Sequence, residues 1–222
     1  MILKPKAYVF DVYGTLFDVH SVSATCEKWF PGKGESISQL WREKQIEYTF
    51  LRQMMGRYQP FDFVTEESLC YAAEANGENA SPEAVTDLLR AYRQLSLFNE
   101  SADVLKSLKD KNKQLLVLSN GTEEMLLPLL EQAGINTLFD AILSVDQVKQ
   151  YKTSPAAYSL ILEKTGLQRE EIMFLSSNGW DITGAKSFGF QSTWINRKGM
   201  PQEKLGFKPD FEFHSLSPVM ER

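Results

Sequence analysis

Residues 10–17 read FDVYGTLF, and in this stretch an aspartate closes an apolar run that begins at Ala7. The run is almost continuously hydrophobic, which is typical of a strand that is buried on both of its faces. Similar apolar runs, bounded by turn or polar residues, recur later in the chain: QLLVLSN, DAILSV, EIMFLSSN, FQSTWIN and PDFEF. The opening stretch is therefore the first of a series of predicted buried strands.

Helical patterns separate most of these runs, for example SADVLKSLKDK, TEEMLLPLLEQAG and SPAAYSLILEKTG. The last two end in glycines, which suit the C-terminus of a helix. Strands that alternate with helices predict an α/β fold with a doubly wound parallel sheet.

One long segment interrupts this alternation. From residue 19 to residue 97 only helical patterns occur, such as ESISQLWREKQIEYTFLRQMM and SPEAVTDLLRAYRQL. We predict a catalytic core domain made of residues 1–18 and 98–222, and an inserted helical cap domain made of residues 19–97.

Composition narrows the class of function. Of the 222 residues 43% are apolar and the net charge is −5, with the lysines and arginines scattered, so we expect no nucleic-acid and no membrane partner. Two cysteines and two distant histidines give neither a disulfide framework nor the spacing of a zinc site. The chain has no signal-peptide pattern and no apolar stretch of the ~20 residues that span a bilayer, so the expected location is cytoplasmic.

Polar side chains follow the predicted strands at the points where the strands end. They are Asp11, Ser119, Asn120, Lys152, Ser176, Asn178 and Asp181. In open parallel sheets, ligands bind outside the carboxyl ends of the strands. Any one of these residues alone is most simply a turn former, a helix cap or a solvated lysine. Their joint occurrence at successive strand ends favours a functional site.

The stretches FDVYGTLFD, LSNG, YKTSPAAY and SSNGWD resemble the four motifs of the haloacid dehalogenase superfamily, in the same order and over essentially the whole chain. The resemblance implies a Rossmann-like core with an inserted cap and a nucleophilic aspartate, here Asp11. Most members of the superfamily are phosphatases, so departures from the phosphatase pattern have to decide the reaction.

Two departures point away from phosphate esters. The phosphatases carry a second aspartate two residues after the nucleophile, which protonates the leaving alkoxide; Tyr13 stands there, and a leaving halide ion needs no proton. They also carry an aspartate that helps to hold magnesium in the fourth motif, where this chain has Ser176 and Ser177. Lys152 can supply the positive charge beside Asp11, so we predict chemistry without a metal or another cofactor.

The cap segment LWREKQIEYTFLR closely resembles that of the L-2-haloacid dehalogenases, in which an arginine reaches the active site. By that match the arginine is Arg42; the helical pattern alone gives no reason to prefer it over Arg52 or Arg57. The resemblance implies hydrolysis of L-2-haloalkanoic acids. Asp11 displaces the halide at carbon 2, and water hydrolyses the resulting ester to a D-2-hydroxy acid.

The resemblance also implies a role for each site residue. Asp181, helped by Ser176 and Asn178, is expected to orient or deprotonate the attacking water. Lys152 is expected to pair with both carboxylates and to keep Asp11 ionised. Thr15 is expected to hold the Asp11 carboxylate, and Ser119 is expected to bind the substrate carboxylate. The halide is expected to be bound by Arg42, Asn120 and Trp180. The apolar wall of the pocket is expected to consist of Tyr13 and Phe61. Tyr158 is either an active-site tyrosine or a residue of the core.

Three alternatives stay open at this point. The first is a phosphatase or phosphonatase-like enzyme of the same fold. The second is a non-catalytic binding module that kept the fold. The third is a dehalogenase that prefers haloacetate or fluoroacetate. The expected partners are a small 2-haloacid and a halide ion. The family resemblance also implies a homodimer, with the cap helices as the expected contact surface.

Overall fold

A computed structural model describes residues 4–221. The strands in this range are β1 (Ala7–Phe10), β2 (Phe17–Asp18), β3 (Ser96–Leu97), β4 (Gln114–Ser119), β5 (Ala141–Ser144), β6 (Ile172–Ser176), β7 (Gln191–Ile195) and β8 (Phe211–Phe213). Six of them form one parallel sheet in the order β5-β4-β1-β6-β7-β8. The α/β fold with a parallel sheet, which the sequence predicts, is confirmed.

The α-helices in the same range are α1 (Ser23–Trp29), α2 (Gly34–Met54), α3 (Phe61–Ala75), α4 (Pro82–Tyr92), α5 (Ser101–Asp110), α6 (Glu123–Gln132), α7 (Pro155–Thr165) and α8 (Gly179–Phe188). Helices α5 to α8 connect successive strands of the sheet and pack against it. Gly166 ends α7 in a left-handed conformation with φ +67°, as its position in the sequence predicts. No helix within residues 4–221 is both long enough and apolar enough to cross a membrane.

Strand β1 lies inside the sheet, and all four of its residues are buried. Its last residue, Phe10, is aligned with Val117 of β4 on one side and with Leu175 of β6 on the other. The chain runs from β1 to β4 and β5 on one side, and then crosses to β6, β7 and β8 on the other. The strand order therefore reverses beside β1, and a crevice at such a point is where open α/β sheets bind ligands.

Helices α1 to α4 lie between β2 and β3, two short strands that pair with each other in an antiparallel ladder. Phe17 is aligned with Leu97, and Asp18 with Ser96. The helical segment predicted between residues 19 and 97 is thus helical in the structure. Its division from the core as a separate domain stays a prediction, and the outermost residues of the predicted core, 1–3 and 222, lie outside the described residues.

Helix α2 supplies one buried face of this helical segment. Ile37, Trp41, Gln45 and Thr49 recur every four residues and are all buried, as residues on one side of a helix are. The Trp41 indole N–H donates to the carbonyl of Thr65 in α3 at 2.7 Å, so a large ring is buried without leaving its polar atom unpaired. This pairing fixes α2 against α3.

We expect Leu116→Ala to lower the free energy of unfolding by about 2–5 kcal/mol, because it empties space in the interior of β4. Leu116 has no exposed surface. Leu205→Ala is the control: Leu205 is 65% exposed, and the same change there should stay within about 0.5 kcal/mol. Urea denaturation of both variants measures the difference. Equal losses would contradict the assignment of β4 to the core.

Candidate active site

The Asp11 carboxylate is the centre of the site. Asp11 follows β1 directly, and only 4% of the residue is exposed. Its Oδ1 lies 3.1 Å from the Lys152 ammonium. Its Oδ2 accepts three hydrogen bonds, from Thr15 Oγ1 at 2.9 Å, Ser176 Oγ at 3.2 Å and Asn178 Nδ2 at 2.8 Å. The structure therefore places Lys152 and Thr15 on Asp11, as expected, and it also places there Ser176 and Asn178, which were expected to assist Asp181.

Two adjacent strand ends hold these partners in place. The chain turns tightly after β1, where the backbone N–H of Thr15 donates to the carbonyl of Val12 at 3.2 Å. Ser177, just after β6, donates its backbone N–H to Thr15 Oγ1 at 2.8 Å. Gly14 has φ +88°, and a Cβ there would lie 2.9 Å from Ser177 Oγ. The positive φ, which residues with a side chain rarely adopt, favours glycine at this turn.

Lys152 bridges two buried carboxylates. Its ammonium lies 3.1 Å from Asp11 Oδ1 and 2.9 Å from Asp181 Oδ2, and 1% of the lysine is exposed. Its backbone N–H donates to Asn120 Oδ1 at 3.0 Å, which ties the lysine loop to the end of β4. Burial alone lowers the pKa of the Lys152 ammonium, but the charges of Asp11 and Asp181 outweigh it and raise the pKa above its ordinary value. The lysine is therefore charged.

Asp181 lies in the first turn of α8 and is completely buried. Its Oδ1 accepts a hydrogen bond from the Tyr158 hydroxyl at 2.8 Å, while its Oδ2 faces Lys152. Burial raises the pKa of Asp181 to about 6, and the charge of Lys152 and the two hydrogen bonds oppose the increase. The pKa of Tyr158 is raised well above its ordinary value, chiefly by burial, so Tyr158 is a neutral donor. Tyr158 also packs against Phe174, so both of its predicted environments occur together.

The loop after β4 carries hydrogen-bond donors toward the next helix. Ser119 Oγ accepts the backbone N–H of Gly121 at 3.1 Å, and Thr122 then begins α6. A Cβ at Gly121 would lie 2.9 Å from Cε2 of Tyr13 and 3.0 Å from its hydroxyl oxygen. The Tyr13 ring thus lies directly on this loop, with Phe61 on the ring at a centroid distance of 5.6 Å. Tyr13 and Phe61 are both buried, as expected for an apolar wall.

Arg42 is the cap arginine that reaches the core. Its Nη2 lies 3.4 Å from the carbonyl oxygen of Tyr13, two residues after Asp11. Arg52 pairs with Glu67 within the cap instead, and Arg57 is exposed. The structure therefore distinguishes Arg42 from Arg52 and Arg57, which the helical pattern alone does not, because Arg42 is the one of the three whose guanidinium contacts the backbone after Asp11.

A cleft of about 1130 Å³ opens between α2 and the strand ends. Arg42, Asn178 and Trp180 line it, and Trp180 also meets Phe50 edge-on at a centroid distance of 5.2 Å. Asn120 is buried and is not one of the residues that line this cleft; its side-chain oxygen accepts the Lys152 backbone N–H. Among residues 4–221, no hydrogen bond or ring contact joins Arg42, Asn120 and Trp180. Their joint role as a halide site stays a prediction.

Metal ligands are not clustered in this site. Within the described part of the chain, no group of three or more His, Cys, Asp or Glu side chains is placed to hold a metal ion. Asp11 and Asp181 share the Lys152 ammonium as their counter-ion. The predicted independence from metal stays a prediction.

Two buried residues beside Arg42 are absent from the sequence-based assignments. Gln45 and Tyr92 are buried and hydrogen-bonded to each other at 2.9 Å, and both contact the Arg42 guanidinium. On a helix, a glutamine next to charged residues resembles a solvated surface position. The one available signal is the four-residue spacing of Gln45 from Trp41, which puts it on the buried face.

The arrangement suits displacement by a carboxylate followed by attack of water. Asp11 is ionisable, fixed through both oxygens and at the end of a central strand, as a nucleophile requires. Asp181 is a second carboxylate whose raised pKa lies close to neutral pH, which suits a group that takes a proton from water. One cation holds both groups.

The fold and this site define a class of hydrolase. A model of the family described as haloacid dehalogenase-like hydrolase matches residues 5–189. The match covers β1, the whole helical segment and the strand ends described above. The chain belongs to the haloacid dehalogenase-like hydrolase family.

Several known relatives are dehalogenases. The chain is 44% identical to an (S)-2-haloacid dehalogenase of Pseudomonas sp. (strain YL), over 97% of this chain and 93% of the relative. It is 42% identical to haloacetate dehalogenase H-2 of Moraxella sp. (strain B), over 98% and 96%. The structure of an L-2-haloacid dehalogenase from Xanthobacter autotrophicus with covalently bound chloropropionic acid is 36% identical, with a TM-score of 0.91 over 98% of this chain and 97% of that one. The resemblance to L-2-haloacid dehalogenases is confirmed.

We expect the acid limb of the pH–rate profile to report Asp181. Turnover should fall as the pH drops through about 6, because protonated Asp181 cannot accept a proton. The Tyr158 hydrogen bond lowers the pKa of Asp181. Tyr158→Phe should therefore raise that pKa and move the acid limb to higher pH by about one unit.

Tyr151→Phe is the matched control for this shift. The Tyr151 hydroxyl donates to the carbonyl of Gln59 at 2.6 Å, away from Asp181. Halide release followed between pH 4 and 9 compares the variants. If Tyr158→Phe does not shift the acid limb of the pH–rate profile, that limb does not report the titration of Asp181.

Proposed function

We propose that this chain is an L-2-haloacid dehalogenase that converts L-2-haloalkanoic acids to D-2-hydroxy acids. The observation that carries the proposal is the buried Asp11 carboxylate, held by Lys152 and three further donors, with Tyr13 where an acid for a leaving alkoxide would stand. A halide leaves as a weakly basic anion and requires no acid. The relatives named as (S)-2-haloacid dehalogenases support the same reaction.

In the first step, an oxygen of Asp11 attacks carbon 2 from the side opposite the halogen. The new carbon–oxygen bond forms as the carbon–halogen bond breaks, and the halide departs with the bonding electrons. The product is an ester between Asp11 and the substrate carbon. Because this step alone takes place at carbon 2, the configuration there is inverted.

In the second step, water attacks the carbonyl carbon of the Asp11 ester as Asp181 takes a proton from the water. The bond between that carbonyl carbon and the ester oxygen then breaks, and Asp181 returns the proton to this oxygen, which belonged to Asp11 and leaves as the hydroxyl of the product. Asp11 regains its charge by releasing the remaining proton of the water. Asp181 has the raised pKa that this role requires. Lys152, 2.9 Å from Asp181, remains as the counter-ion throughout.

The substrate anion and the halide require separate binding groups. We assign the substrate carboxylate to Ser119 and the amides that lead into α6, where the positive end of the helix favours an anion. We assign the halide to Arg42, with Asn120 and Trp180 completing its site. Tyr13 and Phe61 would cover the alkyl group. Lys152 supplies the local positive charge, so the reaction proposed here uses no metal.

A preference for haloacetate is the second candidate. It is favoured by the relative from Moraxella, which is named a haloacetate dehalogenase. Haloacetate has no alkyl substituent at carbon 2, so the two candidates differ only in how much room the apolar wall leaves there. A cytoplasmic location also stays a prediction.

The deciding experiment is halide release from separate L- and D-2-chloropropionate in EDTA. We expect chloride from the L isomer alone, D-lactate as the product, and no loss of rate in EDTA. Asp11→Asn should abolish turnover, because an amide cannot displace the halide. Haloacetate and fluoroacetate are assayed in parallel.

Hydrolysis of p-nitrophenyl phosphate with magnesium, in the absence of any chloride release, would overturn the proposal in favour of a phosphatase. Binding of haloacids without turnover by the wild-type chain would favour a binding module instead.

We further propose that two copies of the chain associate through the cap. Helices α2 and α3, which pack together, expose large apolar side chains on their outer surfaces. These are Leu51, Met54, Met55, Phe63 and Tyr71, with Met54 84% exposed. Such a surface is typical of a contact with another protein.

Sedimentation of the wild-type chain should give twice the mass of one copy. Met54→Glu places a charge on the proposed contact surface and should shift the mass to that of a single copy. Leu205→Glu, the same kind of change at an exposed leucine outside the proposed contact surface, should leave the mass unchanged. A wild-type chain that sediments as a single copy would contradict the proposal.

A further inference from the structure

Gln45 joins three cap helices beneath Arg42. It is completely buried in α2. Its side-chain oxygen accepts hydrogen bonds from Arg42 Nη1 at 2.6 Å and from the Tyr92 hydroxyl at 2.9 Å. Its side-chain nitrogen donates to Thr65 Oγ1 at 2.7 Å. Every partner of the amide thus comes from α2, α3 or the end of α4.

The orientation of this amide is set by its neighbours. Thr65 has one hydroxyl hydrogen, which it donates to the carbonyl of Phe61 at 2.6 Å. Its oxygen must therefore accept, and the Gln45 NH₂ must face it. A guanidinium can only donate, so the Gln45 oxygen must face Arg42. Reversing the amide would break the hydrogen bonds with Thr65 and Arg42, while the Tyr92 hydroxyl can donate or accept in either orientation.

The acceptor that holds Arg42 is consequently neutral. Hydrogen bonds to Gln45 and the longer contacts to Tyr92 and the Tyr13 carbonyl involve three N–H groups of the guanidinium, which has five. None of these three acceptors carries a charge. A carboxylate in the place of the Gln45 amide would compete with any anion for the charge of Arg42.

We propose that Gln45 is a positioning residue that fixes Arg42 through a neutral acceptor and leaves its full positive charge for the departing halide. The inference rests on the halide role proposed for Arg42. Arg42 lines the cleft and contacts the Tyr13 carbonyl, so a fixed guanidinium stands beside the nucleophile with N–H groups to spare. Through the same amide, α3 and α4 also contribute to the position of Arg42.

The test is inhibition of L-2-chloropropionate turnover by added bromide, in Gln45→Glu and Gln45→Leu. Glutamate keeps the length but adds a competing charge; leucine removes the acceptor. In both variants we expect the bromide inhibition constant to rise roughly ten- to a hundredfold, as loss of a hydrogen bond to a charged group predicts. The KM for the haloacid should change much less, because the substrate carboxylate binds elsewhere.

Gln132→Glu is the matched control. It makes the same substitution on α6, where Gln132 is exposed and lies outside the residues that line the cleft. Its bromide constant should equal that of the wild type. Thr65→Val serves if a Gln45 variant fails to fold: it removes the acceptor that orients the amide and should shift the bromide constant in the same direction.

Arg42→Ala tests the halide role of Arg42 separately from the positioning role of Gln45. If Arg42→Ala weakens bromide binding and Gln45→Glu has no further effect in that background, the inference is supported. If Arg42→Ala weakens bromide binding but the Gln45 and Thr65 variants do not, Gln45 has no positioning role. If Arg42→Ala leaves the bromide constant unchanged, the proposed role of Arg42 fails and the inference fails with it.

Discussion

The buried ammonium of Lys152 is the interaction on which the rest of the site depends. It neutralises part of the charge of two carboxylates that have almost no contact with water, and a buried charge without a partner is strongly destabilising. Burial is the main cause of the raised pKa of Asp181; the charge of Asp11 adds to it, and the Lys152 ammonium opposes both. The two carboxylates also differ in their surroundings: the Asp11 side chain has four stabilising contacts, whereas that of Asp181 has two.

The cap completes this site from outside the sheet. Strand ends place Asp11, Lys152 and Asp181, but the guanidinium of Arg42 comes from α2 and contacts the backbone only two residues after Asp11. Buried amide and hydroxyl groups of the cap are hydrogen-bonded to this guanidinium. The core therefore supplies the two carboxylates and the lysine, and the cap supplies a second cation that is held by its own hydrogen bonds.

The sequence predicts the fold well because β1, β4 and β6 are buried on both faces and are therefore continuously apolar. It also predicts Asp11, Lys152 and Asp181, since the ends of parallel strands meet at one edge. It does not predict Gln45 or Tyr92, because polar residues within a helical pattern do not reveal whether they are buried. Tyr158 was ambiguous for a physical reason: its ring packs in the core while its hydroxyl bonds to Asp181.

The short ladder between β2 and β3 has a consequence for how such proteins diversify. Asp18 and Ser96 are aligned across this ladder, so the chain leaves the sheet region and returns to it through adjacent residues. The entropic cost of bringing the two ends of a segment together increases only slowly with the length of the segment. The segment can therefore be lengthened, shortened or replaced while the sheet and the polar groups at its strand ends keep their register, so what covers the site can change without rebuilding the site itself.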